Sequence, residues 1–185
     1  DIGVTGVQTC ALPIFIYLWD MKMKLPYEAT SKAIKGYSES IIAKNESNDC
    51  VVRAFASSFD IPYDEAHKYV ADKFGRKTKK GTYGTVSKLV KMADNRTTVN
   101  HKKVYPIGHR MNDFMFGSLS YSVEVKGMIK IRDMTVGTFI KKFPFGTFFV
   151  LVRRHAFTIK DGVVIGNFED SVKTKKRMRC AFEIK

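Results

Sequence analysis

The chain has 185 residues, is 44% hydrophobic and 12% aromatic, and carries a formal charge of +14. That length supports one ordinary domain with its own core, and that composition excludes a disordered chain. Three scattered cysteines, Cys10, Cys50 and Cys180, exclude a disulfide framework, and no His/Cys spacing suggests a zinc site, so neither metal nor cofactor is expected. A reducing, cytoplasmic setting is the natural reading. The charge favours acidic partners, yet it is spread over isolated doublets such as Lys79-Lys80 and Arg153-Arg154. Lys173 to Arg179 makes a block, expected as a solvated face or a tail.

Asp1 to Ile14 resemble a peptide translated from sequencing-adapter DNA. The expectation is therefore a non-native or disordered leader over 1–22, with Cys10 irrelevant, and one domain over 23–185. Ala11 to Trp19 is a short apolar run with no basic segment ahead and no small-residue cleavage site behind, unlike a signal peptide. It is also too short to span a bilayer, and no membrane partner is expected.

Glu28 to Lys35 suggests a short helix broken by Gly36, and Ser38 to Ala43 a strand or an arm. The polar run Ser47-Asn48-Asp49 then stops at Cys50, where an apolar-periodic segment begins. Asn48 or Asp49 is suited to cap a helix over Cys50 to Phe59, whose buried stripe would be Val51, Ala54, Phe55 and Ser58. A cysteine in the first turn of a helix meets the positive end of the dipole, which favours the thiolate. Otherwise Cys50 is one more buried small side chain. Asp60-Ile61-Pro62 ends this helix and opens another, with Tyr63, Ala66, Val70 and Phe74 on its apolar face and Gly75 at its close. His67 within it reads as an ordinary helix residue. Thr82 to Ala93 reads as a third helix with Val86, Leu89, Val90 and Ala93 on one side.

Strand-like patterns follow at Thr97 to Ile107, Tyr121 to Val125 and Met128 to Ile131, with a loop over Asn112 to Ser120. Thr135 can cap a helix reaching Phe143. Thr147 to Val152 is a continuous apolar run that suits a buried strand, and His155 to Ile159 and Val163 to Asn167 form the next two. If Lys160-Asp161-Gly162 is a three-residue loop, Phe157 pairs with Ile165 and His155 lies opposite Asn167. Cross-strand partners share a face with Cβ atoms about 5 Å apart. A two-residue loop would slip the register and turn Asn167 to the other face.

A thiol nucleophile needs a base, and the base needs a third group to hold its tautomer. Cys50, His155 and Asn167 supply these in order. Otherwise His155 is a plain strand histidine and Asn167 a turn or edge residue, with Asp170 as the substitute third member. His101 and His109 are the other bases available, and nothing in the sequence pairs them with Cys50. Cys180 reads as a packing residue.

At Asn48-Asp49-Cys50 and at His155-Ala156-Phe157 through Asp161-Gly162 to Asn167, the chain resembles the papain-like cysteine peptidase superfamily, in particular small papain-like proteins of phages and bacteria. The resemblance implies an α+β fold, with N-terminal helices packed on a C-terminal antiparallel sheet and the cleft between them. It implies a cysteine peptidase acting on a polypeptide through Cys50, His155 and Asn167. Many members carry a glutamine five or six residues before the cysteine as an oxyanion donor. Here Lys44 and Asn45 stand there, so Asn45 or Asn48 is the expected substitute, beside the backbone N–H of Cys50. Phe168 follows Asn167 where members usually have tryptophan. The same residues would serve an acyl or amide transferase or a deamidase, transglutaminase-like in chemistry. A third reading is a basic nucleic-acid-binding protein that uses the Lys173 to Arg179 block and ignores Cys50.

Overall fold

A six-stranded mixed sheet separates two apolar cores, and the helix that begins at Cys50 packs on its middle strands. The computed structural model describes residues 24–109, 131, 134–172 and 175–185. The leader, the loop expected at 112–120 and the strand expected at 121–125 lie outside the described residues, as does all but Ile131 of the strand expected at 128–131.

In chain order the elements are β1 (Tyr27–Ala29), α1 (Thr30–Ala33), α2 (Ile41–Asn45), α3 (Cys50–Phe59), α4 (Tyr63–Phe74), α5 (Thr85–Asp94), β2 (Val104–His109), α6 (Val136–Lys142), β3 (Thr147–Val152), β4 (His155–Lys160), β5 (Val163–Gly166), α7 (Phe168–Val172) and β6 (Met178–Ile184). The strands lie in the order β1-β5-β4-β3-β6-β2. β1 runs parallel to β5, and the other neighbours are antiparallel. The class is α+β as expected, but the sheet is mixed, and its first strand precedes the helices. The helix expected at 28–35 is present only as the four residues of α1, with β1 ahead of it. The 38–43 segment enters a helix because Ser40 Oγ accepts the Ala43 N–H at 2.9 Å. That cap outweighs the β preference of Ile41 and Ile42.

α3 matches its expected limits, and Asp60 closes it in the left-handed region with its N–H on the Ala56 carbonyl. One face was expected to be buried. Val51, Val52, Ala54, Phe55, Ala56, Ser57, Ser58 and Phe59 are all buried, because α3 is enclosed by β4 and β3 on one side and α4 on the other. Thr158 Oγ1 donates to the Ala54 carbonyl at 2.9 Å and lies 2.7 Å from Ser57 Oγ. These buried bonds satisfy the hydroxyls and fix where the helix sits on β4. α4 buries Tyr63, Ala66, Val70 and Phe74 as its periodicity requires.

β3 alternates as a strand buried on both faces must. Phe149 and Leu151 join the core under α3 to α5, while Phe148, Val150 and Val152 join the one under α6. The end of the basic block is not a tail, although Lys175 and Arg177 are exposed as a solvated face requires. Met178 is fully buried and opens β6, which lies between β3 and β2. Burying a methionine there contributes about 1.5–3 kcal/mol, and the charge of flanking residues does not oppose it while they stay at the surface.

Candidate active site

Cys50 is the first residue of α3, and the loop before it is held by a buried cation. The Arg76 side chain is 0% exposed. Its Nη1 donates to the carbonyls of Asn48 (3.0 Å) and Lys80 (2.5 Å), and its Nη2 to the Ser47 carbonyl (3.0 Å) and Glu46 Oε2 (2.6 Å). Glu46 also accepts the Lys79 N–H at 2.9 Å, and His67 Nε2 lies 3.2 Å from its other oxygen. Burial pushes the Glu46 carboxyl up, but these donors together hold it below the usual range. His67 is therefore part of the loop's anchor rather than an ordinary helix residue.

Asp49 occupies the N-cap position, yet its side chain caps nothing. Its carboxylate is buried, accepts the Tyr63 hydroxyl at 2.9 Å and lies 3.0 Å from Arg53 Nε. The first-turn amides of α3 consequently keep their N–H groups free of a side-chain cap, and such amides suit an anion.

The candidate base, His155, arrives on β4. Val152 pairs with His155 across a two-residue turn, so His155 opens its strand. His155 Nε2 lies 2.9 Å from Asp170 Oδ2, which leaves Nδ1 for the thiol, and the His155 ring and the Ala156 N–H both favour the Cys50 thiolate. The His155 side chain is 18% exposed and that of Asp170 3%.

Asn167 does not stand behind the ring. The β4–β5 turn is Asp161-Gly162 alone, both residues having positive φ (47° and 77°), the geometry an Asp-Gly hairpin favours. Lys160 therefore pairs with Val163 and Thr158 with Ile165, one step away from the register that faced His155 with Asn167. The Asn167 Oδ1 instead accepts from Arg53 Nη1 at 2.7 Å. The chain then turns into α7, and Asp170 swings its carboxylate back. Its Oδ2 accepts the Asn167 N–H at 3.0 Å, the acidic half of a capping box, as well as facing His155. Lys176 Nζ lies 3.4 Å from the other oxygen. Gly166 makes room: a Cβ there would lie 2.9 Å from Asp170 Oδ2.

The electrostatics follow from this placement. Burial pushes the Cys50 thiol up, but the hydrogen bond and charge of His155, the Ala156 N–H and the Arg53 cation bring it below its ordinary value. Burial pushes the His155 imidazole down, but Asp170 and Cys50 together raise it to about 9. Asp170 is raised by burial and lowered further by His155, the Asn167 N–H and Lys176. Two groups whose pKa values are driven towards each other's charged forms favour a thiolate–imidazolium pair.

Neither oxyanion side chain is aimed at the sulfur. Asn45 Nδ2 donates to the Ile41 carbonyl within α2, and Asn48 Nδ2 to the Lys79 carbonyl at 3.4 Å. The other histidines lie elsewhere. His101 is exposed in a tight turn, and His109 lies on β2, an edge strand separated from β4 by β3 and β6. Cys180 is fully buried in the core, as a packing residue should be. Among the described residues no group of three or more His, Cys, Asp or Glu is placed to hold a metal, and no helix is long and apolar enough to cross a membrane. No family model matches the chain, and neither a curated protein nor a solved structure does so.

Arg53, Gly166 and the Arg76–Glu46 anchor were not evident from the sequence. A cation three residues after the cysteine and four after Asp49 was the available signal for Arg53, since both spacings share a helix face. Nothing local marks Gly166 or Arg76, whose partners are distant in the chain.

Proposed function

We propose that this chain is a thiol hydrolase, a cysteine peptidase in its chemistry, with Cys50 as nucleophile, His155 as base and acid, and Asp170 as the group that orients the ring. The observation that carries the reading is the single imidazole held between a helix-start thiol and a buried carboxylate. The Cys50 thiolate attacks a peptide carbonyl, and the developing oxyanion is met by the Cys50 backbone N–H. His155 passes its proton to the departing amine, leaving an acyl-enzyme. A water then gives a proton to His155 and attacks the thioester carbonyl, which releases the acid and restores the thiolate. A nucleophile of this kind persists where thiols are kept reduced, which suits a cytoplasmic setting, and the +14 charge suits an acidic polypeptide substrate.

The test is mass spectrometry after mild iodoacetamide treatment at neutral pH, followed by incubation with a peptide library. Cys50 is labelled well before Cys180, His155→Ala abolishes that preference, and Cys50→Ala abolishes cleavage while keeping the circular dichroism spectrum. Slow labelling of Cys50 that ignores His155→Ala overturns the reading.

A further inference from the structure

Asn at the position before a helix ordinarily turns its side-chain oxygen back onto the first-turn N–H groups. Asn167 precedes α7, but its Oδ1 accepts from Arg53 Nη1 at 2.7 Å across to α3. Its backbone N–H at the same time holds Asp170 Oδ2 at 3.0 Å. Arg53 in turn lies against Asp49, the residue joined to Cys50, with Nε 3.0 Å from Oδ1. That Nε is buried without a directed hydrogen bond, so the guanidinium is held by its Asn167 end and by charge. The contacts close a ring: Cys50, Asp49, Arg53, Asn167, Asp170, His155 and back to Cys50.

We infer that Arg53 and Asn167 are positioning residues, a latch between the start of α3 and the corner after β5 that keeps the Asp170 carboxylate on His155 while the imidazole faces Cys50. The inference rests on the triad reading above. Its physical basis is that the nucleophile and the acid sit on different elements. α3 is fixed to β4 through Thr158, but that bond does not control how Asp170 stands on α7. Arg53 spans the gap with a planar fork that a lysine cannot reproduce. The sequence resemblance had given Asn167 the ring-orienting role; the latch gives it a role one bond further out. Among the described residues Asp49, Lys176, Tyr37 and Tyr63 also bear on the site; the Asn167 variants leave their contacts in place, while Arg53→Gln also removes the cation beside Asp49.

The experiment is the rate of Cys50 carboxamidomethylation against pH in the full chain, with thermal unfolding recorded in parallel. Asn167 is exposed, so its substitution leaves the core intact. Asn167→Ala is expected to move the onset of thiolate reactivity upward by about half a pH unit or more, because the loosened carboxylate stabilises the imidazolium less. Asn167→Asp, which keeps an acceptor for Arg53, is expected to retain the wild-type onset. Arg53→Gln is expected to move it upward by about one unit, slowing alkylation about tenfold at pH values below the wild-type onset. A fall in melting temperature for Asn167→Ala with an unmoved onset, or an onset moved only by Arg53→Gln, overturns the latch. Wild-type Cys50 that reacts no faster than an ordinary thiol would instead remove the underlying triad reading, a distinguishable failure.

Discussion

Gly166→Ala tests the acid's placement through one methyl group. Gly166 lies at the end of β5 without positive φ, so alanine suits its backbone and would ordinarily gain about 0.5–1 kcal/mol in a strand. The added Cβ would meet Asp170 Oδ2 at 2.9 Å and Phe157 Cβ at 3.1 Å, where ordinary contact begins at 3.4 Å. Phe157 is buried, so the carboxylate gives way, by about 0.5 Å. The His155–Asp170 bond, now 2.9 Å, stretches to the limit of a useful hydrogen bond. A hydrogen bond to a charged group contributes about 1.5–3 kcal/mol, equivalent to about one to two pKa units. Asp170 raises His155, so the imidazole falls from about 9. His155 lowers Cys50, so the thiol rises. The pH range of the ion pair narrows from both sides. Iodoacetamide rates across pH read the thiol, and proton NMR of the His155 ring reads the imidazole. Gly81→Ala is the control, since nothing lies within 4 Å of a Cβ there. A Gly166→Ala protein with the wild-type pH profile at both groups would refute the placement of Asp170.

Arg76→Met removes the cation beside the buried Glu46 carboxylate, which keeps the Lys79 N–H and His67, and removes a donor from three carbonyls, and is expected to cost about 3–5 kcal/mol in urea unfolding. Arg76→Lys should recover little of it, because one ammonium cannot serve this spread of acceptors; full recovery would contradict the anchor. Ser57→Ala and Thr158→Val each remove one side of a buried hydroxyl contact, while the remaining hydroxyl keeps a carbonyl partner, so each should cost about 0.5–1.5 kcal/mol and the double variant less than their sum; strict additivity would deny the contact. Where Cys50 and His155 are both charged, the proton that leaves Cys50 is held by His155, so wild-type stability should change little with pH there. In Cys50→Ala only the imidazole remains, still raised by Asp170. Its stabilisation is complete below the unfolded value near 6.5 and is lost as pH rises through the folded one, at up to about 1.4 kcal/mol per pH unit. A level stability profile in Cys50→Ala would count against a charged His155.

Local chemistry determined α3, α4, α6 and the β3 and β4 strands, because their signals lie within a few residues. The polar-to-apolar switch at Cys50, the proline and glycine around α4 and the Thr135 capping box need no distant partner. Cys50 and His155 were legible for the same reason, each opening its own element. The third member was decided by tertiary structure, and the difference was a single residue of turn. Asp161 adopts positive φ, the loop shortens to two residues, and every side chain beyond it changes face. Asp170 then reaches the imidazole because α7 reverses the chain, a helix too short to leave a periodic signature. The strand β6, the Arg76 anchor and the Arg53–Asn167 contact were also set by partners far along the chain. Periodicity reports which face of an element is apolar; it carries no information about which distant polar group that element will meet, and the site is made of those meetings.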